Sequence, residues 1–482
     1  MNRKLGLALI AIVFLAFFAK SATNIDPDFG WHLRMGELIL KSGIPATDPF
    51  SYTMPSFPFI DHEWGLNLLL AALFSQGAIL LEALFAALAT ASLFVCFSPT
   101  KSKFNIVLLV LSTAALLTFA GVRTQVVSWF LLALFLKALL DDVVYLKTRF
   151  LIPILILFWA NLHGSVGLPI VLLGVFLCVR IFQRKILLSD VAIFFASVLA
   201  TLTNPYGIRL WSEILSQATD ASLRFSISEW LPAVFFINFP LILLAAVETP
   251  LMYKYRGKIL ALEQVFFVFL FFLAVSSVRN VPYFILINLF VAPALFENFY
   301  SSLRKTAQKS RLNFALSALL TISLASFIFR IYYYSVGEGV VNKNYYPTDQ
   351  VIDFLKQEKV SGNLFSIYNW GGYLDWKVPE KKVFVDGRMP SWRFVAPSGQ
   401  SNSAFYDYQA LMSEKSNYKK IFDKFNVRLV LLPKPKKKSQ DLTGLIASLF
   451  IKNQKSFDLA KTLTKDGWRI VYHDNSDVVF IK

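Results

Sequence analysis

Asp26-Pro27-Asp28 places two carboxylates two residues apart, just beyond the apolar run that opens the chain. Carboxylates at that spacing can hold a divalent cation, magnesium or manganese, through hard oxygen ligands; alternatively, one of them can act as a general base. The plainer reading is a helix cap, because Asp28 precedes a helical pattern over 29–40 and Asp is a favoured N-cap. His32 follows Asp28 by four residues and so lies on the same helical face. It is either a metal ligand or a ring that Asp28 orients. Asp61-His62-Glu63-Trp64 closes the same stretch and supplies a second acidic position in Glu63. Its plainer reading is an interfacial anchor, with Trp64 among lipid head groups and the charges toward water. Arg34 and His62 add further polar groups to this loop.

Other polar groups interrupt apolar sequence at intervals. Arg123 and Gln125 stand together, as do Glu229-Trp230, Asn204-Pro-Tyr-Gly207 and Arg279-Asn280. Arg123 and Arg279 each sit at the end of an apolar run with no acidic neighbour in sequence. Arginine grips phosphate oxygens with two N–H groups at once; snorkelling toward the interface is the plain alternative. Trp159-Ala-Asn161-Leu-His163-Gly164 breaks another run with an amide and an imidazole. That pair can bind a phosphate or a sugar hydroxyl, or it can hydrogen-bond a turn between two helices.

The elements that would position these groups follow from composition. The chain has 482 residues, 56% hydrophobic and 16% charged. Its mean hydropathy is +0.54, and a soluble domain carries ~25% charged residues. A single soluble domain and a disordered chain are both excluded. A net charge of +17 is spread along the sequence without a nucleic-acid-binding motif, so no nucleic-acid partner is expected. Cys96 and Cys178 both lie in apolar runs, which excludes a disulfide framework and a cysteine metal site.

Eleven apolar runs read as membrane spans: 5–19, 77–97, 105–121, 125–140, 150–162, 166–182, 188–203, 231–247, 259–276, 281–297 and 312–333. The stretch 66–76 reads as an interfacial or re-entrant helix. With the N-terminus inside, inner loops carry sixteen Lys and Arg and outer loops seven, the expected bias. The C-terminus is then outside. The first run resembles a signal peptide, but Lys20 occupies the −3 position of the candidate cleavage site, so it reads as a retained span.

Residues 336–482 are more polar, with 23 Lys and Arg against 15 Asp and Glu. Thr348 reads as the cap of a helix over 349–358. Strands are expected at 364–367, 383–385 and 427–432, with a hairpin of 468–472 and 478–481 around Asp474-Asn-Ser476. Gly371-Gly372 and Asp386-Gly387 read as turns. The alternative is that Trp370, Tyr373 and Arg388 line a cleft against the first loop. The basic run Lys434-Pro-Lys-Lys-Lys438 reads as a solvated loop, with contact to anionic lipid as the alternative. The expected division is a transmembrane domain over 1–335, including the outer loop 20–65, and a soluble α/β domain over 336–482.

An aspartate motif in a first outer loop, directly after the first span, resembles the GT-C class of membrane glycosyltransferases. That class includes oligosaccharyltransferase catalytic subunits, protein O-mannosyltransferases and lipid A aminoarabinose transferases. The loop from Asp26 to Glu37, with Asp48-Pro-Phe-Ser-Tyr52 and Asp61-His-Glu-Trp64, is similar to a bacterial branch of largely uncharacterised members. Tyr368-Asn-Trp-Gly-Gly-Tyr-Leu374 with Val385-Asp-Gly-Arg388 is similar to the Trp-Trp-Asp-Tyr-Gly region of oligosaccharyltransferase outer domains. The Asp of that pattern is absent here, so the peptide-sequon motif is not reproduced.

The resemblance implies a polytopic α-helical membrane protein with about eleven transmembrane helices and an outer α/β domain. It implies a polyprenyl-phosphate-linked sugar donor and an envelope glycan, lipid or protein acceptor, with inversion at the sugar carbon. Asp26 or Asp28 would be the base or metal ligand, and Glu63 the second carboxylate. Arg123 and Arg279 would stabilise the leaving phosphate. Asn161 and His163 would orient sugar or phosphate. His32, Arg34, His62, Trp370, Tyr373 and Arg388 would bind substrate. The expected location is the bacterial cytoplasmic membrane. The rival readings are a non-catalytic envelope-assembly protein and a lipid-linked glycan transporter or polymerase. A transporter would show internal repeats, and no convincing repeat is visible.

Overall fold

The computed structural model describes residues 3–97, 103–220, 223–233, 239–303, 306–332, 345–413, 417–434 and 458–482. The chain forms two compact units. One comprises 1–24 and 76–339, the other 25–75 and 340–482. The first outer loop thus packs with the C-terminal segment, whereas the sequence reading grouped it with the helices.

The chain opens with α1 (Arg3–Thr23), then α2 (Phe29–Ser42) and α3 (Trp64–Phe74). The last two belong to the second unit. The helical unit continues with α4 (Ala78–Cys96), α5 (Lys103–Leu116), α6 (Gln125–Leu140), α7 (Asp142–Thr148), α8 (Ile152–Leu162), α9 (Gly167–Phe182) and α10 (Leu188–Ala200). It ends with α11 (Arg209–Thr219), α12 (Leu223–Ser226), α13 (Phe239–Tyr255), α14 (Ala261–Ser276), α15 (Val281–Ser302) and α16 (Thr306–Tyr332).

Six stretches are long and apolar enough to cross a membrane among the described residues: Arg3–Thr23, Ala78–Cys96, Asp142–Leu162, Gly164–Phe182, Val278–Ser302 and Gln308–Tyr332. The remaining expected spans contain shorter helices. The run at 231–247 includes residues 234–238, which lie outside the described ones; its described helix, Phe239–Tyr255, continues past the expected end. The amphipathic α11 was not expected; its Arg and Glu hide a helical apolar spacing between two polar turns.

In the second unit the helices α17 (Asp349–Gln357), α18 (Gly371–Lys377), α19 (Ala404–Ser413), α20 (Asn417–Lys424) and α21 (Leu459–Lys465) surround one sheet. Its strands are β1 (Asn363–Ser366), β2 (Val427–Pro433), β3 (Arg469–His473) and β4 (Asp477–Ile481), in the order β1-β2-β4-β3. β1 and β2 are parallel; the other pairs are antiparallel. Thr348 caps α17 as expected, its hydroxyl accepting from Val351 N at 3.3 Å. The hairpin turn is held by Asp474, whose Oδ1 accepts from Ser476 N and Asp477 N at 2.7 Å each. The basic run beyond Lys434 lies outside the described residues.

Side chains alternate across the sheet. Leu364, Leu429, Leu431 and Val479 face a core with α17 and α18. Phe365, Val430, Leu432 and Phe480 face the other way. That second core is completed by Trp31 and Met35 of α2 and by Phe50, Met54, Phe57 and Phe59 of the first loop. The loop and α2 therefore supply six buried residues of this hydrophobic layer, which is why they belong to this unit.

The expected strand at 383–385 is extended but does not join the sheet. It pairs with the first loop instead. Val383 N donates to Phe50 O at 3.1 Å, and Tyr52 N donates to Val383 O at 3.2 Å. Thr53 Oγ1 donates to Phe384 O at 2.7 Å, fully buried. Replacing Thr53 by Val keeps the shape and leaves that carbonyl without its donor. Thr53→Val is expected to cost about 1–3 kcal/mol of stability, while Thr53→Ser stays close to wild type. Thermal unfolding of the full chain measures both; equal midpoints for wild type and Thr53→Val would remove this bond from the account.

Candidate functional site

The Asp26-Pro-Asp28 segment is a tight turn at the head of α2. Asp28 N donates to Asp26 Oδ1 at 2.9 Å, and Phe29 N donates to Asp26 O at 3.0 Å. Asp28 does stand at the N-cap position, yet its side chain accepts no cap hydrogen bond from the helix. Its carboxylate lies against the tail instead. A Cβ placed on Gly387 would fall 1.7 Å from Asp28 Oδ1. A Cβ on Gly30 would fall 2.0 Å from Gly372 O, and one on Gly372 2.6 Å from Pro27 O. Glycines are needed here for close backbone approach. Gly371-Gly372 therefore opens the short helix α18 and forms no turn between strands. Two phenols border the turn. Tyr346 Oη donates to Ile25 O at 2.8 Å. Burial raises the pKa of Tyr345 and Tyr346, and the charges of Asp26 and Asp28 raise them further, so both hydroxyls stay protonated.

Behind the turn sits Arg388, with a side chain 1% exposed. Its Nε and Nη2 donate to Asp386 Oδ1 and Oδ2 at 3.0 and 2.5 Å. Its Nη1 is 2.8 Å from Asp48 Oδ1. Four rings surround the guanidinium: Phe50 at 4.8 Å, Phe59 and Trp392 at 5.1 Å and Trp31 at 5.8 Å. Burial disfavours the cation, but Asp386 and Asp48 more than compensate, so its pKa is raised. Asp375 is buried nearby, with Oδ2 lacking a hydrogen-bond partner. Burial first, and the charge of Asp386 second, push its pKa well up.

A second buried chain of polar groups ties α2 to α3. His32 Nδ1 is 2.7 Å from Asn67 Oδ1, and Asn67 Nδ2 donates to Asp61 Oδ2 at 2.9 Å. His32 Nε2 is 3.4 Å from Glu63 Oε2. The ring stacks on Trp31 at 3.6 Å. Burial lowers His32 to about 3, so the imidazole is neutral at physiological pH. Burial raises Asp61 to about 6. His62 approaches the same Glu63, with Nε2 3.9 Å from Oε1.

The remaining tail and loop candidates have identifiable partners. Arg34 pairs with Glu37 at 2.8 Å on a part-exposed helix face. Trp370 is buried, and its Nε1 donates to Tyr345 O at 2.6 Å. Tyr373 is also buried and stacks on Tyr346 at 4.7 Å.

The helical unit holds the other candidates. Arg123 is ion-paired with Glu229, and Gln125 donates to the same carboxylate at 3.5 Å. Arg279 lies over the Trp230 ring at 4.6 Å. Burial would raise Glu229, but Arg123 and Arg279 together hold it below the usual range. Both guanidiniums thus act on this one carboxylate. Arg279 forms no ion pair within 4 Å among the described residues. Asn161 Nδ2 donates to Leu157 O at 2.8 Å and to Thr203 O at 2.9 Å. His163 Nδ1 accepts from Ser165 N at 3.1 Å, and Trp159 Nε1 donates to Ser165 Oγ at 3.0 Å. These polar atoms build the turn between α8 and α9.

Sequence reasoning picked out Asp26, Asp28, His32, Glu63 and Arg388 but left Asp48, Asn67, Asp375 and Asp386 out of the site. Asp48 and Arg388 are 340 positions apart, and no sequence pattern pairs them. Asp386 had a readable signal, an acid two residues before an arginine. Among the described residues, no group of three or more His, Cys, Asp or Glu is arranged to hold a metal ion.

No protein-family model matches the sequence, and no curated protein matches it. Solved structures share its fold. The archaeal oligosaccharyltransferase AglB from Archaeoglobus fulgidus, solved with an inhibitory peptide and a dolichol-phosphate, matches with a TM-score of 0.55 at 10% identity. The match covers 89% of this chain and 69% of that one. The same oligosaccharyltransferase in the apo form matches with a TM-score of 0.54 at 11% identity, over 89% and 70%. ArnT from Cupriavidus metallidurans in the apo state matches with a TM-score of 0.54 at 11% identity, over 99% of this chain and 97% of its own. The likeness to these structures is one of fold.

Two substitutions test the buried charges. Arg388→Met strands Asp48 and Asp386 in an apolar layer, with an expected cost of about 3–5 kcal/mol; Arg388→Lys restores the charge but not the fork and should recover only part of it. Retention of the wild-type unfolding midpoint in Arg388→Met would show that the cluster is not structural. Asp375→Asn mimics the neutral acid. Because the folded pKa of Asp375 is raised, its favourable contribution is present below 3.8 and declines as pH rises toward the folded value. The variant should match wild type near pH 4 and gain on it at higher pH, by about 1.4 kcal/mol per unit at most. A pH-independent difference between the two would contradict a buried neutral carboxyl.

Proposed function

We propose that this chain is a GT-C-type membrane glycosyltransferase. It takes a sugar from a polyprenyl-phosphate-linked donor and passes it to an envelope glycan, lipid or protein acceptor. The observation that carries this reading is the Asp26-Pro-Asp28 turn, clasped by Gly372 and Gly387 within a fold shared with AglB and ArnT. AglB was solved with a dolichol-phosphate, which supports a lipid-linked donor here. The six long apolar helices and the shorter ones support a multi-pass protein, with about eleven spans in our reading. The charge bias of the loops supports an inner N-terminus and an outer C-terminal unit in a bacterial cytoplasmic membrane.

In the reaction, Asp28 takes the proton of the acceptor hydroxyl. The acceptor oxygen forms its bond to the sugar's anomeric carbon as the bond to the phosphate oxygen breaks. The configuration inverts, and polyprenyl phosphate leaves with the electron pair. Asp28 suits the base role because it is part-exposed while its backbone is fixed by the Asp26 turn. The phosphate's developing charge is assigned to Arg279 and Arg123, since guanidinium groups stabilise an anion. Hard divalent cations are often held by one or two carboxylates with water or phosphate completing the shell. Asp26 and Asp28 would hold such an ion, magnesium or manganese, and it would supply charge stabilisation at the phosphate.

The test is donor turnover by purified full-length protein in detergent. A panel of polyprenyl-phosphate sugars is offered with and without magnesium or manganese. Asp28→Asn is expected to lower release of polyprenyl phosphate about 100-fold or more. Release by the variant at the wild-type rate sinks the role of Asp28. No release from any donor by wild type favours the assembly or transport readings.

A further inference from the structure

Glu248 of α13 is 2% exposed, and both of its carboxyl oxygens lack a hydrogen-bond partner. It approaches Asn288 of α15, which is fully buried; apart from this approach Asn288 Oδ1 and Nδ2 have no hydrogen-bond partner among the described residues. Buried polar groups left unsatisfied cost several kcal/mol each in an apolar interior, so such a pair calls for an occupant. The backbone adds an oxygen beside Asn288. Pro250 lies inside α13 and Pro293 inside α15. A proline cannot donate to the carbonyl four residues before it. The carbonyls deprived of that donor belong to Leu289, adjacent to Asn288, and to Ala246, which lies on the exposed face of α13 away from Glu248. α13 and α15 pack against each other, and both pack on α5, where the buried Ser112 Oγ is likewise without a partner.

We propose that Glu248 and Asn288 form a binding site for a small monovalent cation, with sodium as the probe. The donors are oxygens, which suit a hard ion. One carboxylate neutralises one positive charge, whereas a divalent ion would remain half-compensated in an apolar interior. Carbonyls released at helix breaks serve sodium sites elsewhere in membrane proteins by the same physics. The ion would satisfy both side chains at once and pin α13 to α15. Nothing in this site depends on glycosyl transfer, so its failure would leave that reading untouched.

The experiment uses full-length protein in detergent, held in N-methyl-D-glucamine chloride and then titrated with sodium chloride at constant ionic strength. Dicyclohexylcarbodiimide, an apolar reagent for protonated carboxyl groups, is followed at Glu248 by peptide mass spectrometry. Without sodium, Glu248 is expected to be labelled; sodium at ten times its Kd should slow labelling about tenfold. The thermal midpoint of wild type should rise with sodium, and that of Glu248→Gln should not. Labelling that no concentration of sodium slows overturns the proposal and leaves a buried carboxylic acid. An equal sodium response in Glu248→Gln places the ion elsewhere and also overturns it. Should that variant fail to fold, the labelling rates of wild type decide.

Discussion

Burying a guidinium-type cation without water is costly, and the second unit is organised around having done so at Arg388. Its charge is met by Asp48 from the first loop and by Asp386 from the tail. Neither segment satisfies it alone. Asp48 in turn accepts from Phe50 N and Ser51 N, which fixes the loop's path. The aromatic shell of Phe50, Phe59 and Trp392 keeps water away and faces the cation with its rings. Such clusters are weak sources of net stability and strong sources of specificity, because removing one partner leaves the others uncompensated. Here the specificity concerns which segment docks where: two pieces of chain separated by more than 250 residues acquire one register.

Fixing that register fixes Asp28. The tail residue before Arg388 is Gly387, and its missing side chain is the space that the Asp28 carboxylate fills. The same docking brings Gly30 against the backbone of Gly372. A motif that reads as flexible in sequence is therefore rigid in place, held by backbone contact over short distances. Rigid placement is what a general base requires, since misplacement by an ångström loses most of the advantage of proximity.

Much of the helical unit was legible, because a long apolar run has few alternatives to a helix. The tail's cap at Thr348 and the hairpin around Asp474 were legible for a similar reason: their chemistry is local. What sequence did not disclose was set by partners far along the chain. Residues 383–385 have strand composition but pair with the first loop, since Phe50 and Tyr52 offer backbone groups there. Gly371-Gly372 carries a turn signal, yet the glycines serve close packing inside a helix start. Asn161 and His163 looked like ligands because polar groups in apolar runs are expensive; their cost is met by the turn they build.

The carboxylates of the second unit can be sorted by what already occupies them. Asp48 and Asp386 are engaged by Arg388. Asp375 is pushed well up by burial and by the charge of Asp386, and Asp61 is raised to about 6 by burial while bound to Asn67. Glu63 is buried beside the neutral ring of His32, behind α2. Asp26 accepts the backbone N–H of Asp28 and so shapes the turn. A base for an incoming hydroxyl has to be reachable, and it has to be held where the hydroxyl will arrive. Burial removes five of these groups from reach (Asp48, Asp61, Glu63, Asp375 and Asp386), and the turn assigns Asp26 to holding its neighbour. Asp28, proposed as the base, is part-exposed. Its assignment thus follows from the electrostatic roles of the other acids as much as from the motif that first drew attention to it.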